Sequence, residues 1–187
     1  VWKSYIKVLQ NRQFLVYMLA GGIAGAAPFA YIASSADVFM NIYGLTEHQF
    51  GWLFAILAFA MIGSTQLNHI LLRKYTIINF SLHYQSITAL CLILGVYFNI
   101  FNLYSLIGTM FIFLTAHGLN GPNTTALAMA PFSKNAGSAS AMLGSMRMAI
   151  GSIVTAIVSL FHASSAFPMA AGMAICAFGG FIILKTD

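Results

Sequence analysis

The stretch YTIINFSLHYQSITALCLILGVYFNIFNLYSLIGTMFIFLTAHGLNGPNTTALAMAPFS, residues 75–133, decides the fold, because its 59 residues contain no Asp, Glu, Lys or Arg. A helix needs about 20 apolar residues to cross roughly 30 Å of hydrocarbon, so the stretch holds two crossings. Only helices and closed barrels satisfy their backbone hydrogen bonds within a bilayer. Continuous apolar segments such as 89–96 do not alternate in polarity as barrel strands do. The sequence therefore predicts an all-α membrane protein.

The composition of the whole chain agrees with this class. Of the 187 residues, 60% are hydrophobic and only 6% are charged, whereas about a quarter of the residues of a soluble domain are charged. We predict six transmembrane helices, at about 14–39, 50–72, 79–99, 104–130, 138–161 and 167–184. They make residues 1–187 a single six-helix transmembrane domain, without an extramembrane domain.

Seven of the eight cationic residues follow the positive-inside rule. They stand before the first span and after the second, fourth and sixth spans: Lys3, Lys7, Arg12, Arg73, Lys74, Lys134 and Lys185. The other connections contain no Lys or Arg, so we expect both termini in the cytoplasm. The net charge of +5 does not indicate a nucleic-acid partner, because no basic cluster is interleaved with stacking aromatic residues.

The eighth cation, Arg147, breaks this pattern because it lies inside the fifth span. About ten residues of helix, at 1.5 Å per residue, put it roughly 15 Å from the end of the span. An Arg at this depth costs at least about 2.5 kcal/mol on insertion scales, so it faces the bundle interior or a wet cavity. Arg147 is thus either part of a transport path, where it binds an anionic or polar group or a coupling carboxylate, or a cation satisfied by carbonyls and hydroxyls at a helix contact.

Polar residues of the fourth span form a second candidate group. His117, Asn120, Gly121 and Thr124 recur at helical spacing and make one polar face. Such side chains either line a cavity or form hydrogen bonds between helices. The other histidines lie near span ends without ligand spacing, so we expect no metal site.

The first two spans hold further candidates. Tyr17 and Tyr31 share one face with small residues between them, which suits either flat drug-like molecules or ordinary packing. Asp37, the only acid near the hydrocarbon, is either an interfacial residue or a protonatable relay group. Helical rise separates its depth from that of Arg147 by about 15–20 Å, so we expect no direct pair. Gln66 is one more polar candidate.

Gly and Pro interrupt two spans in a similar way. The first span contains Gly25 and Pro28, and the fourth contains Gly121 and Pro122. These spans are equivalent members of a possible 3+3 inverted repeat, in which matching broken helices point to the substrate site. We therefore expect a helix break at each segment. The alternative is that Gly and Pro are simply common in membrane helices.

No catalytic motif accompanies these residues. The sequence lacks a phosphate-binding loop, His-Glu-x-x-His and Cys-x-x-Cys. An intramembrane hydrolase would need a nucleophilic Ser in a Gly-x-Ser-Gly context and a His in a neighbouring helix. The nearest segment, Gly137-Ser-Ala-Ser140, lies at a membrane edge. We expect no enzyme activity, no catalytic residue and no cofactor.

Several segments resemble the Bcr/CflA group of drug-resistance transporters in the major facilitator superfamily. They are NRQF at 11–14, FAYIASS at 29–35, YGL at 43–45, FG at 50–51 and, most specifically, GPN at 121–123, AMAPF at 128–132 and AGSASA at 136–141. The chain thus resembles the C-terminal six-helix half of a twelve-helix transporter. It departs from the group at Ala36 and Asp37, where Ser-Pro is common.

The resemblance implies drug/proton antiport for the parent protein. The implied partners are the lipid bilayer, a small drug-like substrate, protons and an N-terminal six-helix half, which is missing from these residues. It also implies a multi-pass protein of the bacterial inner membrane whose halves rock around a central site. Because the chain begins Val-Trp-Lys, we expect a fragment. The alternative is an orphan six-helix fragment, or a dimerising membrane subunit, without independent transport.

Overall fold

The computed structural model describes residues 2–71, 76–132, 135–161 and 165–186, and these residues form helices and short connections without a strand. The helices are α1 (Trp2–Leu9), α2 (Arg12–Ala24), α3 (Ala27–Ala36), a π-helical segment (Asp37–Ile42), α4 (Glu47–Leu71), α5 (Thr76–Tyr97), α6 (Leu103–Met129), α7 (Ala136–Ser159) and α8 (Phe167–Lys185). The predicted all-α class is confirmed. Three of the cations used to predict topology, Arg73, Lys74 and Lys134, lie outside the described residues.

Most of these helices suit a membrane. Within the described ranges, five stretches are long and apolar enough to cross a bilayer: Arg12–Ile42, Glu47–Asn68, Leu103–Met129, Ala136–Ser159 and Phe167–Lys185. Ser81–Tyr97 is apolar but shorter. Large apolar side chains cover the outer surface, such as Phe59 and Tyr104, which are 73% and 81% exposed. A surface this apolar suits lipid rather than water, and the chain is a multi-pass membrane protein.

Three helical pieces make up the first span. Helix α2 ends at Ala24, and the following Gly25 donates its N–H to the carbonyl of Gly21 at 2.9 Å. Helix α3 then begins with Pro28 in its first turn, where the missing N–H of a proline breaks no hydrogen bond within α3 itself. The chain is therefore interrupted at the Gly-Pro segment that the sequence singles out. Neither α1 nor the π-helical segment is predicted by the apolar pattern.

The fourth span differs from the expected break. Helix α6 runs through Gly121 and Pro122 without ending. A proline within a helix removes the N–H that would bond the carbonyl four residues earlier, here that of Gly118. Thr65 of α4 replaces this bond, because its hydroxyl donates to the Gly118 carbonyl at 2.9 Å. A neighbouring helix thus satisfies the freed carbonyl, and α6 continues.

Side-chain caps fix where several helices begin. Asn11 accepts a hydrogen bond from the Phe14 N–H at 2.9 Å, just before α2, and Asn102 caps α6 in the same way. Thr46 and Gln49 form a reciprocal capping box at the start of α4, in which each side chain accepts from the other's backbone N–H. The turn before α4 is therefore encoded locally.

Packing centres on α6 and α8. Helix α6 contacts α2, α4 and α5, helix α8 contacts α2, α3 and α5, and helix α7 lies against α2 and α3. Two close approaches require glycine. A Cβ at Gly118 would lie 2.3 Å from the Met61 carbonyl oxygen, and a Cβ at Gly180 would lie 2.6 Å from the Cβ of Ala24. The main core includes the fully buried side chains of Leu57, Leu92, Phe113 and Met173.

Candidate functional site: a polar cluster around helix α6

Helix α6 carries a buried polar group on the side that faces α5. The Ser81 hydroxyl donates to Asn120 Oδ1, and Asn120 Nδ2 donates to Gln85 Oε1. The Nε2 of Gln85 lies 3.5 Å from the Nδ1 of His117. Ser81, Gln85 and Asn120 are at most 3% exposed. Polar groups that satisfy one another inside an apolar bundle hold helices together, and in this structure Asn120 and His117 make such interhelical contacts.

Arg147 reaches α6 from the other side. Its Nη2 donates to the Gly121 carbonyl at 3.3 Å and to the Thr124 hydroxyl at 3.1 Å. Thr124 is fully buried, and its own hydroxyl donates to the Asn120 carbonyl at 2.9 Å. Side chains tilt toward the N-terminus of their helix, which explains why this guanidinium lies beside the C-terminal third of α6. Arg147 is therefore joined through Thr124 to the polar group described above.

These bonds satisfy only part of the guanidinium of Arg147. An Arg has five N–H donors, of which Nη2 carries two. Nε is buried without a hydrogen-bond partner, and within the described residues the hydrogen bonds of Arg147 use Nη2 alone. The acids of the described part of the chain are Asp37 and Glu47, and neither forms an ion pair with Arg147. Its charge thus has no carboxylate partner there.

The interruption of the first span lies next to this cluster. Pro28 leaves the carbonyl of Ala24 without its helical N–H partner. A Cβ on Gly21 would lie 2.7 Å from the side chain of Thr124. Helices α2 and α6 therefore touch at the level of the cluster, and the two Gly-Pro segments are neighbours.

Five residues that bond α6 are absent from the predicted set: Gln13, Thr65, Asn68, Ser81 and Gln85. Asn68 is 5% exposed, and its Oδ1 accepts a hydrogen bond from Asn123 Nδ2 at 3.1 Å. The signal that could identify such residues is a polar pair four positions apart in an apolar helix. Ser81 and Gln85 form one, and this spacing places both on one helix face.

Other predicted residues lie away from the cluster. Tyr31 is 4% exposed, and its ring stacks on that of Phe54 with 5.8 Å between centroids, so its aromatic face is used in packing. Asp37 accepts a hydrogen bond from Asn41 within the π-helical segment. Gln66 is exposed on α4 and borders an apolar groove of about 440 Å³ between α4 and α6.

Tyr17 occupies an intermediate position. It is half-buried in α2, one helical turn from Gly21, and packs against two small apolar clusters that include Met18 and Leu82. The structure thus brings together four predicted residues and the Gly-Pro segments of both spans: His117, Asn120, Thr124 and Arg147, with Gly25, Pro28, Gly121 and Pro122. It places Tyr31, Asp37 and Gln66 elsewhere.

Two curated proteins are similar to most of the chain. A bicyclomycin resistance protein homolog from Haemophilus influenzae is 27% identical over 177 residues, which cover 93% of this chain and 44% of that protein. An uncharacterised MFS-type transporter, YdgK, from Bacillus subtilis is 29% identical over 183 residues, which cover 94% of this chain and 44% of that protein. No protein-family model matches the chain. No solved structure matches it at a significant level.

The coverage is as informative as the identity. The chain spans less than half the length of each relative, which agrees with the prediction of one half of a transporter. The matches confirm the resemblance predicted from the sequence: over nearly its whole length, the chain is similar to a bicyclomycin resistance protein homolog and to an MFS-type transporter.

Proposed function

We propose that this chain is the C-terminal half of a multidrug efflux transporter, which exchanges a small drug-like compound for protons across the bacterial inner membrane. The name of the Haemophilus relative supports drug export, and the 44% coverage supports a half. In this proposal residues 1–187 form one six-helix transmembrane domain with both termini in the cytoplasm. An N-terminal six-helix half completes the transporter.

The observation that carries the proposal is the environment of Arg147. A cation with unused donors lies in an apolar bundle, bonded to a proline-containing helix and close to an interrupted one. Ionisable residues within membrane spans mark substrate or ion pathways. A cation with a purely structural role would bond its buried donors to the protein, and Nε does not.

The contact between α2 and α6 supports the inverted repeat. The α2–α3 pair and α6 would be the first members of the two three-helix units, each contains a Gly-Pro segment, and α2 packs against α6. In transporters of this type, substrate sites lie at the interface between repeats, beside interrupted helices. His117, Asn120 and Thr124 are therefore proposed to border the path, with Arg147 as the residue that contacts the transported compound.

Drug accumulation in bacterial cells tests the proposal. Cells that express the chain fused to an N-terminal six-helix half should accumulate less bicyclomycin than cells that express either half alone. A protonophore should abolish the difference, because it removes the proton gradient. If the chain alone lowers accumulation, it transports without an N-terminal half, and the half-transporter proposal is wrong. If the fused protein reaches the membrane and accumulation does not change for any drug tested, drug export is wrong.

Two variants sharpen this assay. Arg147→Ala should abolish export while the protein remains in the membrane, because it removes the cation from the path. Met148→Leu is the matched control, since Met148 is the next residue of α7 and is 63% exposed.

A fluorescent protein fused after Thr186 should fluoresce if the C-terminus is cytoplasmic, and a dark but full-length fusion would contradict that orientation.

A further inference from the structure

We propose that Arg147 makes the site selective for compounds that carry an acidic or other strongly electronegative oxygen group, and that it disfavours cationic compounds. The inference rests on the proposed function, because it concerns the compound that passes this site. It also changes the expected substrate class. Drug efflux on its own is equally compatible with a substrate that is an apolar cation. The charges of the described residues are not compatible with a cationic substrate at this site.

The available donors of Arg147 supply the attraction. The hydrogen bonds to Gly121 and Thr124 hold Nη2 in place, so the plane of the guanidinium is fixed before a ligand arrives. The two N–H groups of Nη1 remain without a protein partner in the described part of the chain. A guanidinium held in this way is suited to a planar oxyanion such as a carboxylate, because charge-assisted N–H···O bonds are roughly twice as strong as neutral ones.

The absence of a compensating acid supplies the selectivity. Of the two acids in the described ranges, Asp37 is bonded to Asn41 in the π-helical segment, and Glu47 is exposed at the first turn of α4. Neither contacts Arg147. A cationic ligand at this site would therefore meet a like charge in a medium of low dielectric constant, where such repulsion is much stronger than in water. Buried or interfacial like-charge contacts are a common means of rejecting the wrong partner.

Two glycines leave room for the ligand beside the guanidinium. A Cβ built at Gly121 or at Gly144 would meet no heavy atom within 4 Å. Gly121 provides the carbonyl that Arg147 bonds, and Gly144 lies three residues before Arg147, on the same face of α7. The tightly packed glycines behave differently, since a Cβ at Gly21 or Gly118 would lie within 3 Å of a neighbouring helix. The open space is thus found beside the guanidinium whose Nη1 donors have no protein partner in the described part of the chain.

Equilibrium binding to the purified 187-residue chain in nanodiscs of uncharged phosphatidylcholine tests the inference. The probes are naphthylacetate, naphthylacetamide and naphthylmethylammonium, which share one aromatic body and differ in charge. Empty nanodiscs correct for partition into lipid. We expect naphthylacetate to bind about tenfold more tightly than naphthylmethylammonium, since one charge-assisted hydrogen bond corresponds to about a tenfold change in affinity or more. The neutral amide should fall between them.

Four variants separate the contribution of Arg147 from general effects. Arg147→Gln should abolish the preference, whereas Arg147→Lys should keep part of it. Lys185→Gln removes the same charge from the end of α8 and should leave the preference unchanged. Gly144→Leu keeps the charge of Arg147 but fills the open space beside it, so it should weaken the binding of all three probes. Circular dichroism and gel filtration establish that each variant is folded.

The inference is overturned by any of three results. The first is no saturable binding of naphthylacetate to the folded wild-type chain, and the second is equal or tighter binding of naphthylmethylammonium. The third is a preference that persists in folded Arg147→Gln. These results are independent of the accumulation assay. Export without charge preference would leave the proposed function in place and remove only the selectivity, while charge-selective binding without export would do the reverse.

Discussion

Replacing Thr65 by Val removes the hydrogen bond that substitutes for the one lost at Pro122. The Thr65 hydroxyl lies 2.9 Å from both the Gly118 carbonyl and the carbonyl of Met61 in its own helix. Its single proton can serve only one acceptor fully at a time. Met61 O has the regular helical N–H of Thr65 as a second donor, whereas Gly118 O has lost its own to Pro122. The hydrogen bond to the Gly118 carbonyl therefore contributes more to stability than the one to the Met61 carbonyl.

The expected cost follows from this geometry. Side-chain hydrogen bonds between membrane helices contribute about 0.6 kcal/mol on average and up to about 1.7 kcal/mol. A buried carbonyl left unpaired costs about 1–3 kcal/mol. We expect Thr65→Val to lower the free energy of unfolding by about 1–2 kcal/mol, near the upper end for membrane proteins, because no second donor replaces the lost one.

A double-mutant cycle isolates the bond from other effects. Pro122→Ala restores an N–H that can donate to Gly118 O, so in that background Thr65→Val should cost about 0.5 kcal/mol or less, and the coupling energy should be about 1 kcal/mol. Unfolding of the chain in mixed micelles, titrated with dodecyl sulfate and followed by circular dichroism, measures each value. Thr115→Val is the matched control, since the Thr115 hydroxyl bonds only the Phe111 carbonyl of its own helix. Equal costs of Thr65→Val with and without Pro122 would refute the reasoning.

Two further predictions concern α6. Asn120→Leu should lower the free energy of unfolding by about 1–3 kcal/mol in the same titration, because it removes the buried hydrogen bonds of Asn120 to Ser81 and Gln85. Unchanged stability of Asn120→Leu would show that these bonds contribute nothing. Gly118→Ala should cost about 1–3 kcal/mol, since the added methyl group would overlap α4, whereas Gly121→Ala should be neutral or stabilising by up to about 1 kcal/mol, because its Cβ meets open space. Equal effects of the two alanines would contradict the packing described here.

The sequence predicts features that depend on local composition. Apolar length alone locates the five stretches of the described residues that are long enough to cross a bilayer. Gly25 with Pro28 indicates an interruption because both residues disfavour a continuous helix. Pro122 has the same local signature, yet its helix continues. The difference is the hydroxyl of Thr65, which is 57 positions away in the sequence and can be located only from the tertiary structure. Helix α1 is missed because its eight residues are too short and too mixed in polarity for an apolar-span criterion.

The site shows the same division. The depth of Arg147 predicts either a residue of the transport path or a cation satisfied at a helix contact. The structure shows the carbonyl and hydroxyl contacts that the second interpretation expects. It also leaves N–H donors that could bind a ligand, as the first interpretation requires. Asn120 is predictable as an inward-facing residue, but its partners are not. From the sequence alone, the ring of Tyr31 could either contact a ligand or pack against the protein. The position of Phe54, which stacks on this ring, distinguishes the two roles.

The position of α6 in the chain has a consequence for biogenesis. Asn68 and Gln85 belong to helices that enter the membrane before α6 is synthesised, and each finds its hydrogen-bond partner on α6. Until residues 103–129 are inserted, these amides face lipid or one another, where unpaired polar groups are costly. A nascent chain that stops before residue 103 would therefore lack these hydrogen bonds and should be less stable in the bilayer than one that includes α6. Insertion of α6 is the step at which these two amides gain their interhelical hydrogen bonds.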